Sequence, residues 1–325
     1  MKILVTGATG FIGTEVARQL SARGWRPRLM VRRPSRGPLL TSLDADLVHG
    51  DLEAPDTLHR AVAGCDAVIH LGGRAVFDPA HRLIGTFVHG TRALAEAAAE
   101  QGVSTFVFAS SLLVHGNTDT PITAATQPVP AIDYGRVKLL VEAGLAGIEQ
   151  HSSMSVASIR LPHVYGATDQ LFARVRRGLV PIPGRSSQPY GHLHVRDAAR
   201  VLIAAAERGW SGTSPVADRA PVGWDDFLGE IRIQMPHVRI VRLPATLALA
   251  GTTAVAAATF WRSAPSLFTP DTVTSWNLSL PVDPEALWGE LGIEPELPTY
   301  REGIAATLDD CVAFRWRHPV SDHRA

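Results

Sequence analysis

Residues 5–16 read VTGATGFIGTEV. The apolar run that leads into this stretch, Ile3 to Val5, has the length of a strand, and TEVARQLSARG, which leaves it, has a helical pattern closed by a glycine stop. Gly7, Gly10 and Gly13 therefore sit where a first strand passes into a first helix. In that context backbone amides and a helix N-terminus hold a pyrophosphate, so strand, glycines and helix in this order favour a dinucleotide site over a merely tight turn.

Outward from this point the first half alternates. Arg28 to Val31, Asp46 to His49, Ala67 to His70, Thr105 to Ala109 and Val156 to Arg160 are short apolar runs of strand length. PDTLHRAVAG and TRALAEAAAEQG are helical patterns between them. Such alternation predicts an α/β fold, a doubly wound parallel sheet of Rossmann type with helices on both faces. After about Tyr165 the chain becomes richer in proline and less regular. The expected organisation is a dinucleotide-binding domain over 1–165 and a smaller substrate-binding lobe over 166–325, with some interleaving of strands and helices. No internal repeat is apparent.

Composition excludes several classes. The 325 residues carry 31 basic and 31 acidic side chains, so there is no electrostatic footprint for nucleic acid or an anionic membrane. Cys65 and Cys311 lie far apart and have no metal-ligand spacing; two packed thiols in a reducing compartment are expected, with no disulfide and no metal. The opening MKILVTG is too short an apolar run for a signal-peptide core, and the expected location is the cytoplasm. Residues 244–261, PATLALAGTTAVAAATFW, are uncharged over nearly a membrane-spanning length. They are mostly alanine and threonine with Gly251 in the middle, which favours an apolar helical flap or packing element over a membrane contact.

The end of the second strand bears on which dinucleotide binds. An acidic residue at the end of the second strand serves NAD, whereas arginine accommodates the 2′-phosphate of NADP. This chain has MVRRPSRG there, so Arg32 and Arg33 favour NADP(H), with NAD(H) as the alternative. Asp51, in HGDLEAP, has two readings: acceptor for an adenine amino group, or cap of the next turn.

The segment DYGRVKLLVEAGLAGIE begins at Asp133. Val137, Leu140, Val141, Leu145 and Ile148 recur at helical spacing and predict one buried face, while Tyr134 and Lys138, four residues apart, share another. An ammonium beside a phenol favours the phenolate, so the pair can act as an acid/base device.

Taken together, these motifs resemble the extended short-chain dehydrogenase/reductases, the superfamily of sugar-nucleotide epimerases and dehydratases, dihydroflavonol-type reductases and 3β-hydroxysteroid dehydrogenase-like enzymes. TGATGFIG is similar to the family's cofactor fingerprint, GDL to its adenine-contact motif, and AVIHLGG to the end of its fourth strand; FASSLLVHG resembles its serine segment and YGRVK its tyrosine-lysine pair. RLPHVYG, HLHVRDAAR and LGIEP match later landmarks, so the resemblance covers nearly the whole chain. It implies that Tyr134 exchanges a proton with the substrate oxygen, that Lys138 lowers the tyrosine pKa and bonds the nicotinamide ribose, and that Ser111 donates to the same substrate oxygen. Ser110 is then a strand-end serine. The resemblance also implies cofactor contacts at Gly7, Thr9, Gly10, Phe11, Ile12, Gly13, Leu52, Leu71, Gly72, Gly73, Leu161, His163 and Val164, besides Arg32, Arg33 and Asp51.

The chain departs from the family in places. Phe87 stands where an asparagine is usual, which removes or rebuilds the water relay behind the lysine, and His163 stands where sugar-nucleotide epimerases tend to carry asparagine. Arg174, Arg176, Arg177 and Arg185 are either diphosphate ligands or a solvated helix face and loop. His192 and His194 share a face of a strand, and packing or substrate contact is favoured over metal ligation. His115 lines the pocket or packs beside Gly116, and Asp197 caps or supports the helix after it.

The resulting expectation is an NADP-dependent oxidoreductase that interconverts a ketone and a secondary alcohol on a small, rather apolar molecule. Leu112, Leu113, His163 and His192 are the candidate substrate contacts. A nucleotide-sugar epimerase or dehydratase with retained cofactor, and a non-catalytic dinucleotide sensor, are the alternatives. Relatives often dimerise through two helices, but the helix faces here show no clear excess of exposed apolar residues, so a homodimer stays open.

Overall fold

The computed structural model of the protein describes residues 1–33, 40–73, 77–184, 187–258 and 269–313. Short apolar runs become strands because both of their faces are covered. β1 (Ile3–Thr6), β4 (Ala67–His70) and β5 (Thr105–Ser111) are buried at every position. In chain order the first half is β1, α1 (Phe11–Ala22), β2 (Arg28–Val31), β3 (Asp46–His49), α2 (Leu58–Val62), β4, α3 (Ala80–Ile84), α4 (Thr91–Glu100), β5, α5 (Asp133–Gln150) and β6 (Ser155–Leu161). A π-helical turn, Gly85–Gly90, joins α3 to α4. There follow β7 (His163–Tyr165), α6 (Gln170–Arg176), β8 (Leu179–Pro183), β9 (His192–His194), α7 (Val195–Arg208), β10 (Gly212–Pro215), α8 (Trp224–Gln234), β11 (Arg239–Leu243), α9 (Ala245–Ala258), α10 (Pro270–Trp276), α11 (Ala286–Leu291) and α12 (Tyr300–Ala313).

The central sheet has the order β3-β2-β1-β4-β5-β6-β10, with every pair parallel. Strand order reverses between β1 and β4, and this opens a crevice at the carboxyl ends of the strands. On one face Val16 and Leu20 of α1, Leu202 of α7 and Trp288 of α11 form one core. On the other, Leu58, Leu94, Val141 and Leu145 of α2, α4 and α5 form a second. The lobe has its own core, with Tyr165, Phe172, Phe227 and Ile304. Its two small parallel sheets pair β8 with β11 and β7 with β9.

After residue 165 the chain interleaves with the first half: β10 completes the sheet against β6, and α7 packs on its face. One expectation needs adjustment. Leu140 is 55% exposed, whereas Lys138 and Glu142 are buried on α5. The inward face of α5 is wider than its apolar pattern indicated, because two charged side chains occupy it. Residues 245–258 of the uncharged segment form α9, while residues 259–261 lie outside the described residues. Among the described residues no helix is long and apolar enough to cross a membrane.

Candidate active site

The glycine loop is shaped by close approaches. Gly7 has φ +65°, and a Cβ there would lie 2.6 Å from the carbonyl oxygen of Leu71. A Cβ on Gly13 would lie 2.1 Å from the Gly7 oxygen, so α1 can start against the loop only without a side chain. Gly10 is the N-cap of α1 and supplies no side-chain cap, which leaves the first-turn amides available to an anion. Thr6 Oγ1 draws the end of β4 onto this loop: it accepts from the amides of Leu71 (3.2 Å) and Gly72 (3.0 Å) and lies 2.7 Å from His70 Nδ1. His70 Nε2 continues to Thr91 Oγ1 at 2.9 Å, and burial, with the charge of Lys138, lowers its pKa to about 3. A bare helix N-terminus and a cradle that any Cβ would fill fit the pyrophosphate of a dinucleotide, with Thr9, Phe11 and Ile12 in the same turn.

At the outer end of this groove Arg32 and Arg33 are exposed just past β2, and residues 34–39 lie outside the described residues. The Asp51 carboxylate accepts from the Glu53 amide at 3.1 Å, so one of its oxygens is used as a turn cap. Leu52 is buried and packs close to Gly72 and Gly90.

The residues expected to handle the proton lie at the end of β5 and the start of α5. Ser111 is the last residue of β5, and its Oγ accepts from the Leu113 amide at 3.2 Å. Its neighbour Ser110 instead donates to Glu142. Tyr134 opens α5. That helix sits tight against Leu113 because position 135 is glycine: a Cβ there would fall 1.8 Å from the Leu113 oxygen. The tyrosine ring is held edge-on by Phe77 (centroids 5.6 Å) and Phe87 (5.9 Å). Ser111 and Tyr134 both line a cavity of about 580 Å³, together with Leu112, Leu113, Leu161, His163 and Val164.

Lys138 lies one turn further along α5, with Nζ donating to the Ala109 carbonyl at 2.7 Å. It sits over the rings of Phe108 (4.4 Å) and Phe87 (4.7 Å). Phe87 thus takes the position of the missing asparagine and offers the ammonium an aromatic face in place of an amide. Burial lowers the Lys138 pKa to about 7, while the Glu142 charge pulls it back up. Burial also raises the Tyr134 phenol above its ordinary value of 10.0. This is opposite to the direction expected from the neighbouring lysine, because Nζ stands 5.7 Å from the tyrosine ring centroid and both groups are desolvated.

Behind the lysine is a polar layer that sequence reasoning missed. Arg160 grips Glu142 with Nε at 3.1 Å and a terminal nitrogen at 2.8 Å, and donates to His115 Nε2 at 3.1 Å. Both side chains of the ion pair are about 6% exposed. Glu142 continues the four-residue spacing of Tyr134 and Lys138, and that spacing was the available signal. His115 is therefore buried against Arg160, and burial and that charge hold its pKa down at about 4.

Other candidates are redistributed. His163 lines the cavity against the Trp224 ring (4.5 Å), and its Nδ1 is 3.1 Å from His192 Nδ1. His192 is wholly buried behind it, packed on Tyr190 and Trp224, and does not itself line the cavity. His194 caps α7 by accepting from the Arg196 amide, and no group of three or more potential metal ligands occurs among the described residues. Asp197, in the first turn of α7, lies 3.4 Å from Arg200 of the same helix, and its carboxylate accepts from the amides of Glu296 (2.7 Å) and Leu297 (2.9 Å), which ties the segment after LGIEP to α7. Arg174 lines the cavity, Arg176 donates to the Ala167 carbonyl at 2.6 Å, Arg177 is exposed, and Arg185 lies outside the described residues. Sequence reasoning also missed Asp169, which caps α6 at the cavity wall and whose pKa burial raises to about 7.

Comparison with known proteins agrees with this geometry. Residues 3–216 match the model of the NAD dependent epimerase/dehydratase family. A ceramide reductase of Caulobacter vibrioides is 30% identical over 250 residues, covering 74% of this chain and 73% of the relative. A 3-beta-hydroxysteroid dehydrogenase of Mycolicibacterium neoaurum is 27% identical over 271 residues, covering 74% and 72%. Among solved structures, MoeE5 in complex with UDP-glucose and NAD superposes with a TM-score of 0.79 at 22% identity, covering 97% of this chain and all of that one (100%). DesIV, a dTDP-glucose 4,6-dehydratase of Streptomyces venezuelae with NAD bound, gives 0.78 at 20% identity, covering 99% and 100%. At that identity the structures speak to the fold alone. The glycine cradle, the Rossmann sheet and the family match together make this chain a member of the NAD-dependent epimerase/dehydratase family, an NAD(P)-dependent enzyme of the extended short-chain dehydrogenase/reductase type.

Proposed function

We propose that the enzyme interconverts a ketone and a secondary alcohol on an apolar small molecule, with NADP(H) as the preferred dinucleotide. The observation that carries this reading is the convergence of Ser111 and Tyr134 on one cavity, among Leu112, Leu113, Tyr190 and Trp224. The dinucleotide, when bound, supplies or takes up the hydride. The chain's own residues manage the oxygen. The Tyr134 hydroxyl, kept protonated by burial, gives its proton to the substrate oxygen as charge develops there. Ser111 accepts from the Leu113 amide and so has its O–H left to donate to the same oxygen. Lys138 stands one turn along from the tyrosine, its Nζ 5.7 Å from the tyrosine ring centroid, and when protonated it favours the phenolate left after proton transfer.

Exposed arginines at the end of β2, with no carboxylate beside them, support NADP over NAD. Relatives named for ceramide, a 3-beta-hydroxysteroid and a 2-alkyl-3-oxoalkanoate support an apolar substrate. A nucleotide-sugar dehydratase or epimerase is the second reading; Arg174 in the cavity wall and a 29% identical dTDP-glucose 4,6-dehydratase favour it. Cys65 and Cys311 are buried thiols outside any disulfide, which supports a cytoplasmic location.

Fluorescence titration with NADPH and NADH, followed by an absorbance screen of NADPH consumption with aliphatic, aryl and alicyclic ketones, tests the reading. Tight NADPH binding with net consumption is expected. Binding with no consumption by any ketone would move the assignment to internal-redox chemistry on a nucleotide sugar. Arg32→Ala with Arg33→Ala should weaken NADPH at least about tenfold and NADH little; equal losses would remove the NADP preference.

A further inference from the structure

A second cavity of about 350 Å³ adjoins the catalytic one, and the two share Arg174, Thr272 and Trp276 in their walls. It lies between β8, β11, α9 and α10, and Ile182, Leu243, Leu247, Gly251 and Val255 line it. Its hydroxyls are already occupied. Thr252 donates back along α9 to the carbonyls of Ala248 (2.9 Å) and Leu249 (3.0 Å), and Thr272 is part of the capping box of α10 with Thr269. α9 itself has no charged residue. A sugar or nucleotide placed deep in this slot would lose its hydration and regain few hydrogen bonds, because Arg174, at the wall shared with the first cavity, is the one charged side chain among the described residues that line it. Apolar surface is nevertheless left uncovered there: Leu247 is 68% exposed, and Leu243 and Val255 are each 46% exposed.

We propose that this slot is the tail subsite of the enzyme and that the substrate is a long-chain alkyl ketone. Its carbonyl lies at Ser111 and Tyr134, and its hydrocarbon chain passes Trp276 into the space between β8 and α9. The proposal rests on the ketone-reductase reading and deepens it. Continuity with the catalytic cavity selects the occupant: a chain whose polar end is held at Tyr134 has its other end led past the shared walls, where Arg174 stands, into a space lined mainly by Ile182, Leu243, Leu247 and Val255. The uncharged α9, which the sequence left as a flap or packing element, becomes one wall of the slot.

Two measurements test this together. In the first, KM is determined with NADPH for 2-heptanone, 2-undecanone and 2-pentadecanone. Each methylene that enters the slot should lower KM by roughly threefold to fourfold until the slot is full. Gly251→Trp fills the slot; a Cβ at 251 meets nothing within 4 Å, so the larger side chain enters open space. In this variant the dependence on chain length should flatten. Ile233→Ser, an exposed change on α8 away from both cavities, is the control and should keep it. In the second, binding of dansylaminoundecanoic acid is followed by its fluorescence, with no turnover involved. Wild type should bind it and release it to 2-pentadecanone, and Gly251→Trp should bind it at least about tenfold more weakly.

If ketones are consumed but KM ignores chain length, or Gly251→Trp keeps the dependence, the tail subsite is overturned and the reductase reading stands. If no ketone is consumed yet the probe binds to wild type and not to Gly251→Trp, the tail subsite stands and the reductase reading falls. Failure of both measurements removes both.

Discussion

Tyr134, Lys138 and Glu142 stand at four-residue intervals on α5, and each is held by a different kind of force. Tyr134 is fixed by ring edges, Lys138 by one carbonyl and two aromatic faces, and Glu142 by a two-pronged arginine. Tyr134→Phe keeps the ring and removes the transferable proton. Turnover should fall by about a hundredfold or more while NADPH binding stays within about twofold of wild type; steady-state kinetics beside a cofactor titration checks this, and retained turnover would sink the assignment. Lys138 yields a prediction with a definite sign. Its pKa in the folded protein is about 7, below the ordinary lysine value of 10.5. Between those values the unfolded chain holds a proton that the folded chain lacks, so this residue's cost to stability is full below pH 7 and disappears as pH rises toward 10.5. Lys138→Met should therefore raise the melting temperature by a few degrees, about 1 kcal/mol or more, below pH 7 while abolishing turnover. The gain should shrink on going to alkaline pH. Thermal melts of both proteins across pH check it.

At the scale of elements, the site is a junction between the end of β5 and the start of α5. α5 is anchored at its first residue: the Asp133 amide donates to Asp271 of α10 (3.1 Å), and the Asp133 carboxylate accepts from the Ala80 amide of α3 (3.0 Å). Further along, Glu142 of α5 and Arg160 of β6 form the buried ion pair that braces Ser110 on β5. Its two halves need one another. Glu142→Leu leaves a buried guanidinium unpaired and should cost about 3–5 kcal/mol, whereas Glu142→Leu with Arg160→Met should recover more than half of that loss. Urea unfolding of the two variants distinguishes a coupled pair from two independent contacts. Gly135 makes the approach of α5 possible. Gly135→Ala, which would set a methyl 1.8 Å from the Leu113 oxygen, should force the helix away from the serine loop. Loss of both stability and turnover in that variant is expected, with turnover measured at a temperature where circular dichroism shows the chain folded.

For the whole molecule, buried titratable groups set a window of stability in pH. Burial holds His70, His163 and His194 neutral with pKa values of about 3, His115 at about 4, and His192 well below its ordinary value. Each must be charged in the unfolded chain once pH falls below about 6.5, so their contribution is lost as pH falls from there. Asp169 and Asp218 act in the opposite sense, because burial raises them to about 7 and about 8. Their contribution is full below about pH 4 and is lost progressively as pH rises from there to those values. Asp197 and Asp271 are raised by burial as well, and between pH 4 and 6.5 the five histidines outweigh the four aspartates, so the acid side is the steeper one. Melting temperature should drop sharply between pH 6.5 and 4 and decline only gently from 7 to 8, where Lys138 begins to compensate; melts from pH 4 to 9 in a single buffer series check it.

The sequence by itself determined the strand and helix alternation of the first half and the glycine cradle, and it pointed to the serine, tyrosine and lysine segments. Those features are written in local spacing: runs of four or five apolar residues, glycines three apart, side chains one helical turn apart. It missed Glu142 and Arg160 as a pair, placed Leu140 inward, and grouped His192 with the substrate contacts, because each depends on what a distant segment brings alongside. Only the tertiary structure decided that Ser111 faces the cavity while Ser110 turns to Glu142, that Phe87 supplies an aromatic face to Lys138, and that the uncharged α9 walls a second cavity joined to the first. Burial and partnership are properties of non-local contacts, and no local pattern of residue types specifies them.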